Sequence, residues 1–391
     1  MRIIYCTCIF LLFFVNLLAQ SPSQNVFIIT LDGTRWQEIF KGADESLLRN
    51  PAYVRDSTLM LQQFYDDNPA ERRRLLMPFF WSVLAKQGQL MGNRDLNSKV
   101  DVSNLYRISY AGYSEIFTGF ADKIFIPNLA INNRRLNVLQ WLNKQSAYEG
   151  KVAAFCSWNI LPFVLNEKHG TLPVNGGYEM MEGDDSTSAL INNVQQTIVS
   201  KGNTRHDLLT FECAKNYLRQ HHPKIMYLGL GETDEFAHEH AYDTYLQKIH
   251  EADAMIAGLW CAVQTDPFYK NNTTFIITTD HGRGNKNSTW STHGFWVKGS
   301  GQTWLAMLGA GIAPDGESNK QQQLYQKQIP ATIAALLGVN FTASHSVAAP
   351  LPLDKIRTFI QKNVAVKDRY LPYFFPKNYH PVASFNAINR I

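Results

Sequence analysis

Two apolar runs, Val26 to Leu31 and Phe275 to Thr279, each stop on an aspartate, Asp32 and Asp280, and the second continues directly into His281. Short apolar runs rich in β-branched residues and closed by turn formers are buried strands. In an open α/β sheet, ligands collect at the carboxyl ends of the strands. A chain that puts carboxylates and an imidazole at two such ends therefore builds a site on the end of its sheet. Three more runs, Val152 to Cys156, Ile225 to Leu230 and Trp304 to Leu308, alternate with helix-length segments. That alternation predicts a three-layer α/β fold, a mostly parallel central sheet with helices on both faces. The clearest helix is Tyr242 to Val263, where Leu246, Ile249, Ala252, Ile256, Leu259 and Val263 recur at intervals of three and four.

Further ligand-type residues fall in suggestive settings. Asp234 and His238 are spaced by four in Asp234-Glu-Phe-Ala-His238, so on a helix they project from one face. His293 lies in Ser291-Thr-His293-Gly294. Taken singly, each has an ordinary explanation: an Asp after a strand forms a turn, and an i,i+4 pair decorates a helix surface. As a set, Asp32, Asp234, Asp280, His238, His281 and His293 offer three carboxylates and three imidazoles. That mixture suits Zn²⁺ and tolerates Mn²⁺ or other borderline divalent cations.

With Ser109-Tyr-Ala-Gly-Tyr-Ser-Glu-Ile-Phe-Thr118-Gly119 added, the order of motifs resembles the alkaline phosphatase superfamily, most of all its nucleotide pyrophosphatase/phosphodiesterase branch, from about Val26 to about Pro350. Gln328-Ile-Pro-Ala-Thr-Ile-Ala-Ala-Leu-Leu-Gly338 is similar to the helix that follows the last metal ligand there. The resemblance implies two divalent metal ions, one held by Asp32, Asp280, His281 and Ser109, the other by Asp234, His238 and His293. It also implies that Ser109 is the nucleophile, since the family's nucleophile stands ten residues before the Gly of a Thr-Gly pair, here Gly119; Ser103 and Ser114 are rivals. The activity implied is hydrolysis of phosphate esters through a phosphoseryl intermediate, with monoester and diester both open. A phosphotransferase or mutase of the same fold, or a non-catalytic relative that binds metal and phosphate, are the alternatives.

Two departures are visible. The phosphodiesterase branch usually carries Thr as nucleophile and an Asn three residues on; this chain has Ser109 and Gly112, which offers only a backbone N–H. The sulfatase branch follows its nucleophile with Pro and Arg, and Ser109-Tyr110-Ala111-Gly112-Tyr113 has neither. For substrate contacts the candidates are Arg283, whose planar fork suits phosphate oxygens, Tyr110 and Tyr113 beside the nucleophile, and more weakly Lys298.

Met1-Arg2, the apolar run Ile3 to Leu18, and Ala19-Gln20-Ser21 read as a secretory signal cleaved after Ala19. The expectation is a secreted or periplasmic protein with no stable membrane anchor after cleavage, a single catalytic domain over 20–391, and a cap-like insertion at 159–210 where polar residues replace periodicity. Cys156, Cys213 and Cys261 remain after cleavage, at most one disulfide, and their apolar neighbours favour buried thiols. A formal charge of +4 without a long Lys/Arg run argues against specific nucleic-acid binding and for a small-molecule phosphate-ester partner. The aromatic stretch from Arg369 to Lys377 is expected to pack back onto the body.

Overall fold

A computed structural model describes residues 24–352, so the apolar leader and the aromatic C-terminal stretch lie outside the described residues. Strand β1 (Asn25–Leu31) is buried along its whole length. It can be central because both of its faces are apolar: Val26 and Ile28 join one hydrophobic cluster, and Phe27, Ile29 and Leu31 join the other. Two cores on opposite faces of one strand make a three-layer sandwich. Truncating any one of these side chains to Ala would cost about 2–5 kcal/mol.

The remaining strands, in chain order, are β2 (Gly88–Met91), β3 (Ser98–Asp101), β4 (Val152–Cys156), β5 (Val174–Gly176), β6 (Ile225–Leu230), β7 (Thr273–Thr278), β8 (Gln302–Thr303), β9 (Leu305–Gly309), β10 (Gly316–Glu317) and β11 (Gln322–Tyr325). The main sheet runs β10-β2-β9-β7-β1-β6-β4-β5, and β11-β3-β8 form a small second sheet. From β7 to β5 the pairing is parallel, with Val26 opposite both Ile225 and Thr274. Strand β9 instead lies antiparallel to β7 and β2. No helix separates β7 from β9, and without a crossover helix the chain returns in the opposite sense.

Helices Asp207–His221 and Tyr242–Thr265 cover one face, contributing Phe211, Leu218, Leu246 and Ile256 to its core. Helices Ser109–Thr118 and Ile329–Leu336 cover the other, through Tyr113, Ile116 and Ile333. The segment 159–210 is woven into this body: Val174–Gly176 is the edge strand, and helix Ser186–Thr197 packs on Asp207–His221. Among the described residues no helix is long and apolar enough to cross a membrane. Cys156 and Cys213 are buried free thiols, whereas Cys261 is exposed on the outward side of its helix despite its apolar neighbours.

Candidate metal centre

The parallel strands deliver their carboxyl ends to one edge of the sheet, and the ligand-type residues gather there. Asp32 follows β1 directly, and Asp280 with His281 stands just past the end of β7. Helix Glu232–His238 begins one residue after β6 and carries both Asp234 and His238, with His238 Nε2 3.2 Å from Asp234 Oδ2. His293, from the loop before β8, places Nε2 3.0 Å from His238 Nε2 and 3.9 Å from Asp234 Oδ1. His281 lies at the centre, its Nε2 3.5 Å from Asp280 Oδ2, 3.6 Å from Asp32 Oδ1, 3.9 Å from Asp234 Oδ1 and 3.3 Å from Ser109 Oγ. All seven residues are therefore brought together. Five of them form two overlapping clusters, Asp32 with Asp280 and His281, and Asp234 with His281 and His293. His281 belongs to both, where the family pattern assigns it to one.

Two observations test whether cations fit. Asp32 Oδ1 and Asp280 Oδ2 are buried and have no hydrogen-bond partner among the described residues, a costly state for a carboxylate unless it meets positive charge. Burial, and then the Asp280 charge, push the Asp32 carboxyl well above its usual range, and burial pushes Asp280 up to about 7. Burial also holds the His281 and His293 imidazoles below their ordinary values, in the neutral form that ligates. Their tautomers follow from geometry. His281 Nδ1 is 2.9 Å from the Gly282 carbonyl and His293 Nδ1 is 3.1 Å from the Arg107 carbonyl. A carbonyl only accepts, so each Nδ1 carries the proton and each Nε2 turns a lone pair into the site. The donor set fits divalent cations.

Surrounding groups hold this arrangement. Gly33 N donates to Asp280 Oδ1 at 3.0 Å, and Thr233 Oγ1 donates to the Asp32 carbonyl at 2.6 Å. Gly33 has φ +58°, and a Cβ there would lie 2.5 Å from Asp234 Oδ1, so only glycine fits. Asp207 accepts from Gly231 N at 2.7 Å and Glu232 N at 3.1 Å, which anchors the start of the Asp234 helix. Glu115, fully buried, accepts from Ser103 N, Asn104 N and Asn104 Nδ2 at 2.7–2.9 Å, and fixes the approach to Ser109. Ser109 opens helix Ser109–Thr118. Of its rivals, Ser114 Oγ accepts from Asn133 Nδ2 at 2.9 Å, and Ser103 does not line the cavity.

Three residues expected to contact substrate, Arg283, Tyr110 and the Gly112 backbone N–H, have structural partners instead. Arg283 is buried, and its guanidinium donates to the Gly33 carbonyl, the Ser291 carbonyl and the Asp234 carboxylate, so it orients a ligand rather than reaching into the cavity. Gly112 N is used inside its helix, on the Ile108 carbonyl at 2.9 Å. The residue is glycine because a Cβ would stand 2.3 Å from the Asp280 carbonyl oxygen. Tyr110 points into the core, and its hydroxyl donates to the Ile131 carbonyl at 2.6 Å.

Beside Ser109, Asp32 and Asp234 lies a cavity of about 430 Å³ whose other walls include Asn128, Trp158 and Asn203. Asn128 and Asn203 stand in no motif and at no strand end, so no local pattern marks them, whereas Trp158 lies two residues past β4 but carries no metal-ligating group. Ile160, Asn203 and Thr204 are the part of segment 159–210 that reaches the cavity. Asn128 Oδ1 accepts from Tyr110 N at 2.9 Å, at the amino end of the Ser109 helix.

No protein-family model and no curated protein sequence matches the chain. Solved structures do. Wild-type alkaline phosphatase PafA aligns at TM-score 0.56 and 11% identity, over 84% of this chain and 98% of that one. The phosphonate monoester hydrolase of Agrobacterium radiobacter aligns at 0.52 and 12%, over 85% and 77%. A 2-O GAG sulfatase aligns at 0.50 and 11%, over 84% and 74%. These likenesses make the fold alkaline phosphatase-like.

Proposed function

We propose that the protein is a secreted or periplasmic binuclear-metal hydrolase of phosphate esters with Ser109 as its nucleophile. The observation that carries this reading is the position of Ser109 Oγ, at the start of a helix and 3.3 Å from the one imidazole shared by both ligand clusters. Zinc is preferred for this mixed carboxylate and imidazole set, with manganese as the alternative. Bound there, the cations would supply the positive charge that favours a serine alkoxide and offsets the phosphoryl oxygens.

The chain's own groups do the rest. Ser109 Oγ gives up its proton and bonds to phosphorus while the bond from phosphorus to the ester oxygen breaks, releasing an alcohol and leaving phosphoserine. Water then cleaves that ester and restores the hydroxyl. The amino end of the Ser109 helix adds its positive dipole to the phosphoryl position. His281 and His293 are held by their Nδ1 bonds so that they cannot rotate out of register. Among the described residues no Lys or Arg lines the cavity. A singly charged diester suits that lining better than a dianionic monoester, which gains from a cationic contact to its third oxygen.

The likeness to a phosphatase and a phosphonate monoester hydrolase supports this class of chemistry. The test is turnover of chromogenic phosphate monoester and diester substrates with added zinc, beside Ser109→Ala. Activity that disappears in the variant while metal stays bound supports the phosphoseryl route, with the faster substrate naming the subclass. A variant that retains full turnover rules it out.

A further inference from the structure

Exposed large apolar side chains gather at the mouth of the cavity. Leu105, Ile124, Phe125, Leu129, Phe295 and Trp296 are all exposed, Ile124 by 70% and Trp296 by 91%. They stand on three loops: 105–107 runs up to Ser109, 123–134 carries Asn128 and Leu129 of the cavity wall, and 294–298 follows His293. The loops touch one another. The Tyr106 ring lies 5.1 Å from Phe125, and its hydroxyl donates to the Lys123 carbonyl. Arg107 Nη1 donates to the Phe295 carbonyl at 3.4 Å, and the Phe295 ring is 4.5 Å from Trp296. Exposed apolar side chains clustered on touching loops in this way mark an interaction surface.

Charge identifies the partner. The loops and their flanks carry Arg107, Lys123, Arg134, Arg135 and Lys298, and the one carboxylate among them, Asp122, accepts from Arg135 Nε at 2.6 Å, which leaves the rim net positive. Aromatic and aliphatic side chains set among cations suit the headgroup boundary of an anionic bilayer, where the rings enter the interface and the cations meet lipid phosphates. A protein partner would more often be met by a packed aromatic anchor with charges depleted around it, and Trp296 stands almost free of its own chain. Leu129 belongs both to this patch and to the cavity wall.

We infer that the rim docks the protein on an anionic lipid surface, with Phe125 and Trp296 entering the headgroup boundary. Resting on the phosphate-ester reading above, the substrate is then a lipid-borne phosphate ester presented at the cavity mouth.

The experiment is flotation of the intact chain with phosphatidylcholine vesicles, with and without phosphatidylglycerol, beside the double variant Phe125→Ala/Trp296→Ala, with thermal melts to establish that both are folded. The expected result is binding to the phosphatidylglycerol vesicles that weakens by about tenfold or more in the variant, while turnover of a soluble chromogenic ester stays within about twofold. Absence of vesicle binding by the folded wild type overturns the proposal. So does binding that persists undiminished in the variant, which would place the contact in another segment. Self-association abolished by the variant without any lipid binding would assign the patch to a second copy of the chain and likewise overturn it. Variant-sensitive vesicle binding with no turnover of any soluble or vesicle-borne phosphate ester upholds the docking surface and tells instead against the hydrolase reading.

Discussion

The Tyr113 hydroxyl donates a 3.0 Å hydrogen bond to Asp32 Oδ2 and leaves Asp32 Oδ1 as the buried, unpartnered oxygen that faces His281. Burial, and then the nearby Asp32 charge, push the Tyr113 phenol well above its usual range, so it stays protonated and acts as a donor. The bond fixes which carboxylate oxygen is free to ligate. Tyr113→Phe removes it with little change in volume, and groups that orient metal ligands typically matter by 10–100-fold in metal affinity or activity. A zinc titration of the two proteins should show a loss in that range with the melting temperature nearly unchanged. Equal affinities would mean that Asp32 does not depend on Tyr113 for its orientation.

Arg283 is the corresponding support for Asp234, and its role makes a kinetic prediction distinct from that of a phosphate clamp. Its three nitrogens are engaged by Gly33, Ser291 and Asp234. Arg283→Lys keeps the charge but loses the fork, and Asp234 is then free to turn. Metal affinity and kcat should fall together, by about tenfold or more, with KM for a phosphate ester little altered. A rise in KM at constant kcat would show that the side chain meets substrate after all.

These two contacts show where the sequence stops being informative. Strand identity was legible because five- and six-residue apolar runs such as β4 and β6 have no partly polar face to blur their boundaries. Asp32, Asp280 and His281 were legible because they follow such strands, and Asp234 with His238 because helical spacing alone aligns them. Tyr113 and Asp32 are separated by 81 positions, and Arg283 and Asp234 by 49. Their pairing is set by how the layers pack, which no local pattern encodes. An arginine beside Asp-His-Gly looks the same in sequence whether it faces substrate or core, and only its burial decides. Asn128 enters the cavity from a loop with no periodic signal, and Trp158 follows β4 but is not a ligand type that draws notice there. The reversal of β9 depended on the missing crossover helix.

Metal removal should reveal the electrostatic cost of the empty cluster. Asp32 and Asp280 are buried with orphaned oxygens, so chelation leaves that cost uncompensated. Each site held at a thousandfold excess over its dissociation constant contributes about 4 kcal/mol of apparent stability. A chelator should therefore lower the melting temperature, and zinc should restore it. Asp280→Asn keeps an oxygen for Gly33 N and deletes the charge. The variant should be more stable than wild type under chelation and gain less from added zinc, keeping only the response of the Asp234 cluster. Identical zinc responses in the two proteins would place the stabilising metal elsewhere.

Asp253 gives a pH signature independent of the site. It lies buried on helix Tyr242–Thr265 and accepts from Phe79 N at 2.7 Å and Phe80 N at 3.0 Å. Burial outweighs those bonds and raises its carboxyl from 3.8 to about 7. Between those values the folded chain holds a proton that the unfolded chain has released, so stability from this group falls as pH rises through the window and levels off above about 7. The full change is on the order of 4 kcal/mol. Asp253→Asn cannot titrate and should lose that slope. It keeps one accepting oxygen and leaves one of the two amides short, so its stability relative to wild type should be poorest near pH 4 and improve toward pH 7.5. Urea unfolding of both proteins across that range checks it, and parallel pH profiles would show that Asp253 is ionised in the fold at an ordinary pH.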